Sequence, residues 1–226
     1  MSVSTTPRRR RSQRGRGEQL RAEIITAAKG LLAIAGRADD VSIRAVADAV
    51  GVTSPSIYLH FADKTELLGA VVADVFAELD QAMLSAAEGL TEPLERLRAF
   101  GMAYVNFALT HQEHYRIAAL DPCPMPFVDE VLASSAFEHF NQTVIACMRA
   151  GIFRDGDPLP ITLELWAAAH GIASLMITKP FLPWGDADAV TDRVLCSAAL
   201  GHAAADLIGE NVTPADVTAW LAKQRA

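Results

Sequence analysis

The sequence predicts an all-α fold, a three-helix head followed by a larger helical body, and three observations carry that prediction. From Glu18 onward apolar residues recur at three- and four-residue spacing, and strand-type alternation is nowhere sustained. Alanine and leucine, both strong helix formers, are abundant, and 51% of the 226 residues are hydrophobic, enough for a sizeable core. Prolines at Pro93, Pro122 to Pro126, Pro158 to Pro160, Pro180 to Pro183 and Pro214 cut the chain into helix-length pieces.

Residues 1–17 are Arg-, Ser- and Gly-rich and poor in apolar residues, so a disordered basic tail is expected there. A first helix follows over 18–35, with Leu20, Ile24, Ala27, Ala28, Leu31 and Leu32 on one face and Gly36 ending it. Ser42 is the expected N-cap of a second helix through Val50, which Gly51 ends. A third opens near Thr53 or Ser54, with Pro55 in its first turn. Asp63 caps a long fourth helix reaching about Glu88. Helices are then expected over about 91–111, 112–119, 126–150, 159–178, 187–209 and 214–224. The resulting division is a tail over 1–17, a helix-turn-helix head over 18–64 and a body over 65–226.

Charge is unevenly distributed. Residues 1–60 carry ten Lys and Arg against five Asp and Glu, whereas the remainder carries ten against 22. A basic head on an acidic body points to an anionic partner for the head alone. The three cysteines, Cys123, Cys147 and Cys196, form no CxxC pair. This argues against a zinc site or disulfide framework, fits a reducing cytoplasm, and suggests small buried apolar residues. No apolar stretch follows the basic N-terminus closely enough for a signal peptide, and the apolar run at 165–178 is too short to span a bilayer. A soluble cytoplasmic protein without membrane association is expected.

The stretch "SIRAVADAVGVTSPSIYLHF", residues 42–61, meets the demands of a helix-turn-helix. Two helices meeting steeply need a small residue at the crossing, supplied by Ala47, and a turn residue tolerant of positive φ, supplied by Gly51. Ile43, Val46, Val50, Val52 and Ile57 face inward, and Phe61 is core. The outer face then holds Thr53, Ser54, Ser56, Tyr58, Leu59 and His60, whose short hydroxyls let phosphate approach free backbone N–H groups. Arg44, outside the second helix, is placed to reach a base edge or a phosphate. An ordinary αα-corner with Tyr58 and Phe61 as core satisfies the same spacing.

"SIRAVADAVGVTSPSIYLHFADKTELL" closely resembles the DNA-binding head of the TetR family of transcriptional repressors, specifically over residues 20–70. The resemblance implies a three-helix head, a long connecting fourth helix and a ligand-binding, dimerising body. It further implies backbone-phosphate contacts from Tyr58 and His60, and from Lys64 at the start of the fourth helix. Thr53, Ser54, Ser56 and Leu59 would line the recognition surface, with Arg44 a polar contact from the second helix. Many members carry Lys and Gly where this chain has Ser54 and Pro55, so one common phosphate contact is absent. Leu59 replaces a residue that is often polar or aromatic and suits a thymine methyl. "ELWAAAHGIASL" at 164–175 also resembles a subgroup whose C-terminal domain bears a Trp-His-Gly signature.

Trp166, His170 and Ser174 stand four apart on one helix line, with Thr162 one turn earlier. Either His170 is a buried, hydrogen-bonded structural histidine, or it supplies a polar contact in an apolar pocket. Further candidates for a pocket lining are Tyr104, Phe107, His111, Tyr115, Phe127, Phe140 and Met176. The stripe Val128, Leu132, Ala136, Phe140, Val144 and Met148 reads first as core. His111 and His114 lack a nearby Cys or carboxylate cluster, so no metal is expected, and no cofactor motif is present. Small residues at Ala167 to Ala169, Gly171, Ala198, Ala199 and Gly201 suit close helix approach, within one subunit or across a homodimer. The expected partners are double-stranded operator DNA, a small-molecule effector, which a half-apolar body suggests is lipophilic, and a second copy. No nucleophile–base pair, phosphate loop or paired-carboxylate motif marks an enzyme. The competing reading is a helical small-molecule-binding protein or enzyme with a non-functional head.

Overall fold

A computed structural model describes residues 14–36, 38–116, 119, 134–209 and 213–225. Among them there are helices and turns but no strand. The chain divides into two compact units, Met1–Val71 and Val72–Ala226, and the division falls inside one helix.

The first unit holds α1 (Arg14–Ala35), a 3-10 turn (Ala38–Asp40), α2 (Ile43–Val50), α3 (Ser54–Ile57) and the start of α4 (Lys64–Ala86). The periodicity of α1 does what it predicts, since Ile24, Ala28 and Leu32 are buried with Val46, Ala47, Ile57 and Phe61. Arg14 to Gly17, expected in the tail, form the first turn of α1. Gly17 lies close to His60, since a Cβ added to it would stand 3.9 Å from His60 Cε1. The rest of the expected tail, with Arg8 to Arg11, lies outside the described residues. Arg21 places its guanidinium 4.9 Å from the Phe61 ring centre, holding α1 over the end of the head.

The second unit contains the remainder of α4, then α5 (Pro93–Thr110), α6 (Gln112–Tyr115), α7 (Ser135–Arg149), α8 (Pro158–Thr178), α9 (Ala187–Ile208) and α10 (Pro214–Gln224). Helix α5 is central and packs against α7, α8 and α9. Phe100, Val105, Ala108, Val144, Cys147, Phe153 and Ala173 are almost fully inaccessible to solvent. The helix starts are set by side-chain oxygens on free backbone N–H groups. Ser134 accepts from Phe137 N, Asp157 from Leu159 N and Asp186 from Asp188 N, while Thr213 and Asp216 form a reciprocal capping box.

Three expectations change. The helix expected over 126–150 starts at Ser135, because Ser134 caps it; the stretch 120–133, with Cys123, Phe127, Val128 and Leu132, lies outside the described residues. Cys147 is buried as expected, and burial raises its thiol pKa to about 11, but Cys196 is exposed. The apolar run at 165–178 belongs to the longer α8, which by length and composition alone could cross a membrane. Thr162, Leu165, Ala169, Ile172, Ala173, Met176 and Ile177 of that helix are buried in the body's core.

Candidate nucleic-acid interface and body cavity

The head builds its outer surface from the turn outward. Ser42 Oγ accepts from Ala45 N at 3.1 Å and starts α2. Gly51 ends it at φ 78°, with its N–H 2.9 Å from Ala47 O, and Val52 N reaches the same carbonyl at 2.9 Å. A side chain at Gly51 would hold a left-handed conformation that only glycine adopts freely. The chain emerges extended at Thr53 and turns at once into α3, with Pro55 in its first turn as expected. Helix α3 is a single turn of four residues, continued by Phe61 N to Ile57 O at 3.1 Å.

Ile57 and Phe61 anchor this segment at 0% and 1% exposure, which turns the intervening residues outward. Tyr58 and Leu59 are exposed at 53% and 84%, so the tyrosine is a surface residue and not core. Thr53 is exposed, and its hydroxyl lies 3.0 Å from that of the half-buried Ser56. Ser54 and His60 are half-buried. Arg44 is highly exposed, and its 3.9 Å approach to Asp48 is a surface pair of little energetic weight. Asp63 caps α4 through Glu66 N at 2.8 Å, and Lys64 Nζ lies 3.5 Å from Asp39 O. The eight candidates thus all belong to the segment from α2 to the start of α4, with Arg44, Thr53, Tyr58 and Leu59 exposed.

The body holds a partly open cavity of about 460 Å3, within the roughly 300–1,000 Å3 range of drug-sized ligand sites. Phe76, Leu79 and Met83 of α4, Leu97, Phe100 and Gly101 of α5, Phe137 and Phe140 of α7, and Leu165 and Ala169 of α8 form its apolar wall. Leu195, Cys196, Ala199, Leu200 and Ala203 of α9 line it too, with Leu94, Glu95 and Arg98 of α5. Arg98 Nε donates to Asp192 Oδ1 at 2.6 Å, linking α5 to α9. That bond and the paired charge hold the Asp192 carboxyl below its usual range and raise Arg98.

One wall carries a chain of polar groups. Trp166 Nε1 donates to Tyr104 Oη at 3.1 Å, the Tyr104 and Tyr115 hydroxyls lie 3.0 Å apart, and Tyr115 Oη stands 2.6 Å from His170 Nδ1. Burial lowers the His170 pKa and raises both tyrosines, favouring the neutral form of all three groups. When His170 Nδ1 is the acceptor, neutral groups satisfy the chain in order: indole N–H to Tyr104, Tyr104 O–H to Tyr115, Tyr115 O–H to His170 Nδ1. Tyr104 Oη also lies 3.3 Å from His170 Nδ1. On the same helix line, Thr162 Oγ1 donates to Asn141 Oδ1 at 2.9 Å.

Of the nine expected lining residues, Tyr104, Phe140 and Trp166 line the cavity. Tyr115 and His170 stand behind that wall through the hydrogen-bond chain, whereas Phe107 and Met176 are buried away from the cavity lining. His111 is exposed at the end of α5, its ring 4.8 Å from Phe107 and stacked at 5.9 Å on His114. Phe127 lies outside the described residues. Sequence reasoning missed Phe76, Met83, Phe100, Phe137, Arg98 and the α9 residues, because nothing separates a cavity-lining apolar residue from core until the helices are packed. Among the described residues no group of three or more His, Cys, Asp or Glu side chains is placed to hold a metal ion.

Residues 24–71 match the family model described as bacterial regulatory proteins, tetR family. Residues 97–198, which include Trp166, His170 and Gly171, match one described as tetracyclin repressor-like, C-terminal domain. Among solved structures, a protein with unknown function from Rhodococcus sp. RHA1 is 28% identical with a TM-score of 0.68, over 81% of this chain and 95% of its own. The fatty acid degradation regulator FadR from Bacillus halodurans is 17% identical with a TM-score of 0.66, over 79% of this chain and 94% of its own. RolR, solved in complex with resorcinol, is 20% identical with a TM-score of 0.60, over 83% of this chain and 95% of its own. No curated protein matches the chain.

Proposed function

The chain belongs to the TetR family of transcriptional regulators, and from that premise we propose that it is a dimeric, DNA-binding repressor of the cytoplasm, released from its operator by a small lipophilic molecule. The observation that carries the DNA-binding part is the exposure of Tyr58 and Leu59 between the buried anchors Ile57 and Phe61. In this reading Thr53, Ser54, Ser56 and Leu59 meet the base edges and nearby sugar-phosphate, while Tyr58, His60 and Lys64 contact phosphates. Arg44 adds a contact from α2, and Leu59 meets a thymine methyl.

Two heads reach successive major grooves only if the bodies pair two-fold. Gly171 and Gly201 support a pairing through α8 and α9, since a Cβ on either would meet nothing of this chain within 4 Å. Leu163 and Leu200 on the same helices are exposed. The effector occupies the body cavity and shifts the population of two arrangements by its differential affinity for them. Helix α4, which begins in the head and ends in the body, carries the shift. In the ligand-bound arrangement the two recognition segments no longer match their half-sites.

The test is a titration of a labelled duplex carrying the DNA upstream of the neighbouring gene, run at several salt concentrations. Submicromolar binding that weakens steeply with salt supports the proposal, because each neutralised phosphate contributes about 0.9 to the log–log slope. Affinity no better than for a scrambled duplex contradicts it.

A further inference from the structure

We propose that the body cavity selects an uncharged, apolar effector and rejects organic acids, with Asp192 as the residue that sets this discrimination. The inference rests on the reading of the cavity as the effector site and adds the chemical class that the site accepts.

Three features of the lining lead to it. The interior surface is aromatic and aliphatic, so a charged head buried there would lose its hydration without a partner. The polar lining groups bond within the protein: the Trp166 N–H binds Tyr104, whose hydroxyl continues through Tyr115 to His170 Nδ1, and Ser134 Oγ accepts from Phe137 N. At the rim, Arg98 is the one cation among the described lining residues, and its guanidinium is held by Asp192 at 2.6 Å. Had Arg98 been unpaired, it would mark the rim as a carboxylate anchor, since guanidinium and carboxylate are matched in geometry. Paired, it leaves an incoming acid facing a neutralised cation.

The surrounding charge points the same way. Glu95 lines the same rim without an opposite charge among the described contacts, and from residue 61 onward the chain carries 22 acidic against ten basic residues. The excess of acidic residues disfavours an anion, whereas the exposed Glu95, screened by water and salt, weighs little for either sign of charge. The interior offers an ammonium group no free acceptor pair. An uncharged molecule avoids both penalties and gains the full apolar contact.

The experiment is isothermal titration of the full-length protein, without DNA, by three ligands of equal chain length: decanol, decanoate and decylammonium at neutral pH. The expected result is at least tenfold tighter binding of decanol than of either ion, about 1.4 kcal/mol. Decanoate or decylammonium binding as tightly as decanol overturns the proposal, and so does absence of binding by all three. Asp192→Asn frees Arg98 and should narrow the decanol preference over decanoate at least threefold, an effect that general loosening of the fold would not produce for the acid alone. An unchanged ratio removes Asp192 from its assigned role. Because DNA is absent, a chain that takes decanol but holds no operator refutes only the regulatory reading. One that holds its operator yet prefers decanoate refutes only this one.

Discussion

The head carries a polar outer face on buried apolar anchors, whereas the body holds an apolar cavity backed by a chain of polar groups. In the head every candidate residue lies between Arg44 and Lys64, on α2, α3, the segments that flank α3 and the first residue of α4. In the body the cavity lining runs from Phe76 to Ala203 and draws on α4, α5, α7, α8 and α9. The first surface is a product of local backbone geometry: a glycine at φ 78°, a proline in the first turn, and two anchors four residues apart. The second exists only after distant helices have packed. A loss of packing should therefore damage the body's site most, while changes on the head's surface should alter binding and leave stability nearly untouched.

The largest effect is expected at Phe100, which is fully buried in the body and lines the cavity. Phe100→Ala should cost about 3–5 kcal/mol in urea denaturation. A cost below about 1 kcal/mol would mean that the cavity wall is not part of a tightly packed body. Tyr104→Phe removes the hydroxyl between Trp166 and Tyr115 and leaves buried donors and acceptors unmatched. About 1–3 kcal/mol should be lost by the same measurement, and a neutral outcome would show that the polar chain is dispensable.

The third expectation concerns pH. Burial lowers the pKa of His170 in the folded state, so the unfolded chain binds the extra proton more readily. Stability from this group is complete above about 6.5, the unfolded value, and declines as pH falls toward the folded one. His170→Asn should flatten that part of the stability–pH curve. A curve identical in slope to that of the unaltered protein would place the acid sensitivity elsewhere. The smallest change in stability is expected for Arg44→Ala, within about 0.5 kcal/mol. Its effect should appear instead as a salt slope of operator binding reduced by about one, the signature of a single lost phosphate contact.

This contrast also explains what could be read in advance. The three-helix head was legible almost residue by residue, because Ser42, Gly51, Pro55 and Asp63 act on their immediate neighbours and appear in the structure where their chemistry requires. The helices of the body were legible from proline positions and apolar spacing, and α8, α9 and α10 begin within a residue of expectation. The Trp166–His170 line was visible as a polar line needing partners, but Tyr104 and Tyr115 became those partners only through packing of α5 and α6 against α8. The Arg98–Asp192 pair spans 94 positions, and no local pattern announces it. Cys196 misled for the same reason: a cysteine's burial depends on which face of α9 its neighbours cover.

The most direct test of the regulatory account is the double change Tyr58→Ala, Leu59→Ala, made on the exposed surface between Ile57 and Phe61. Operator affinity should be measured beside a thermal melt. The account predicts a protein that melts close to the unaltered one, yet binds its operator no better than scrambled DNA. Full operator affinity in the folded double variant would contradict it.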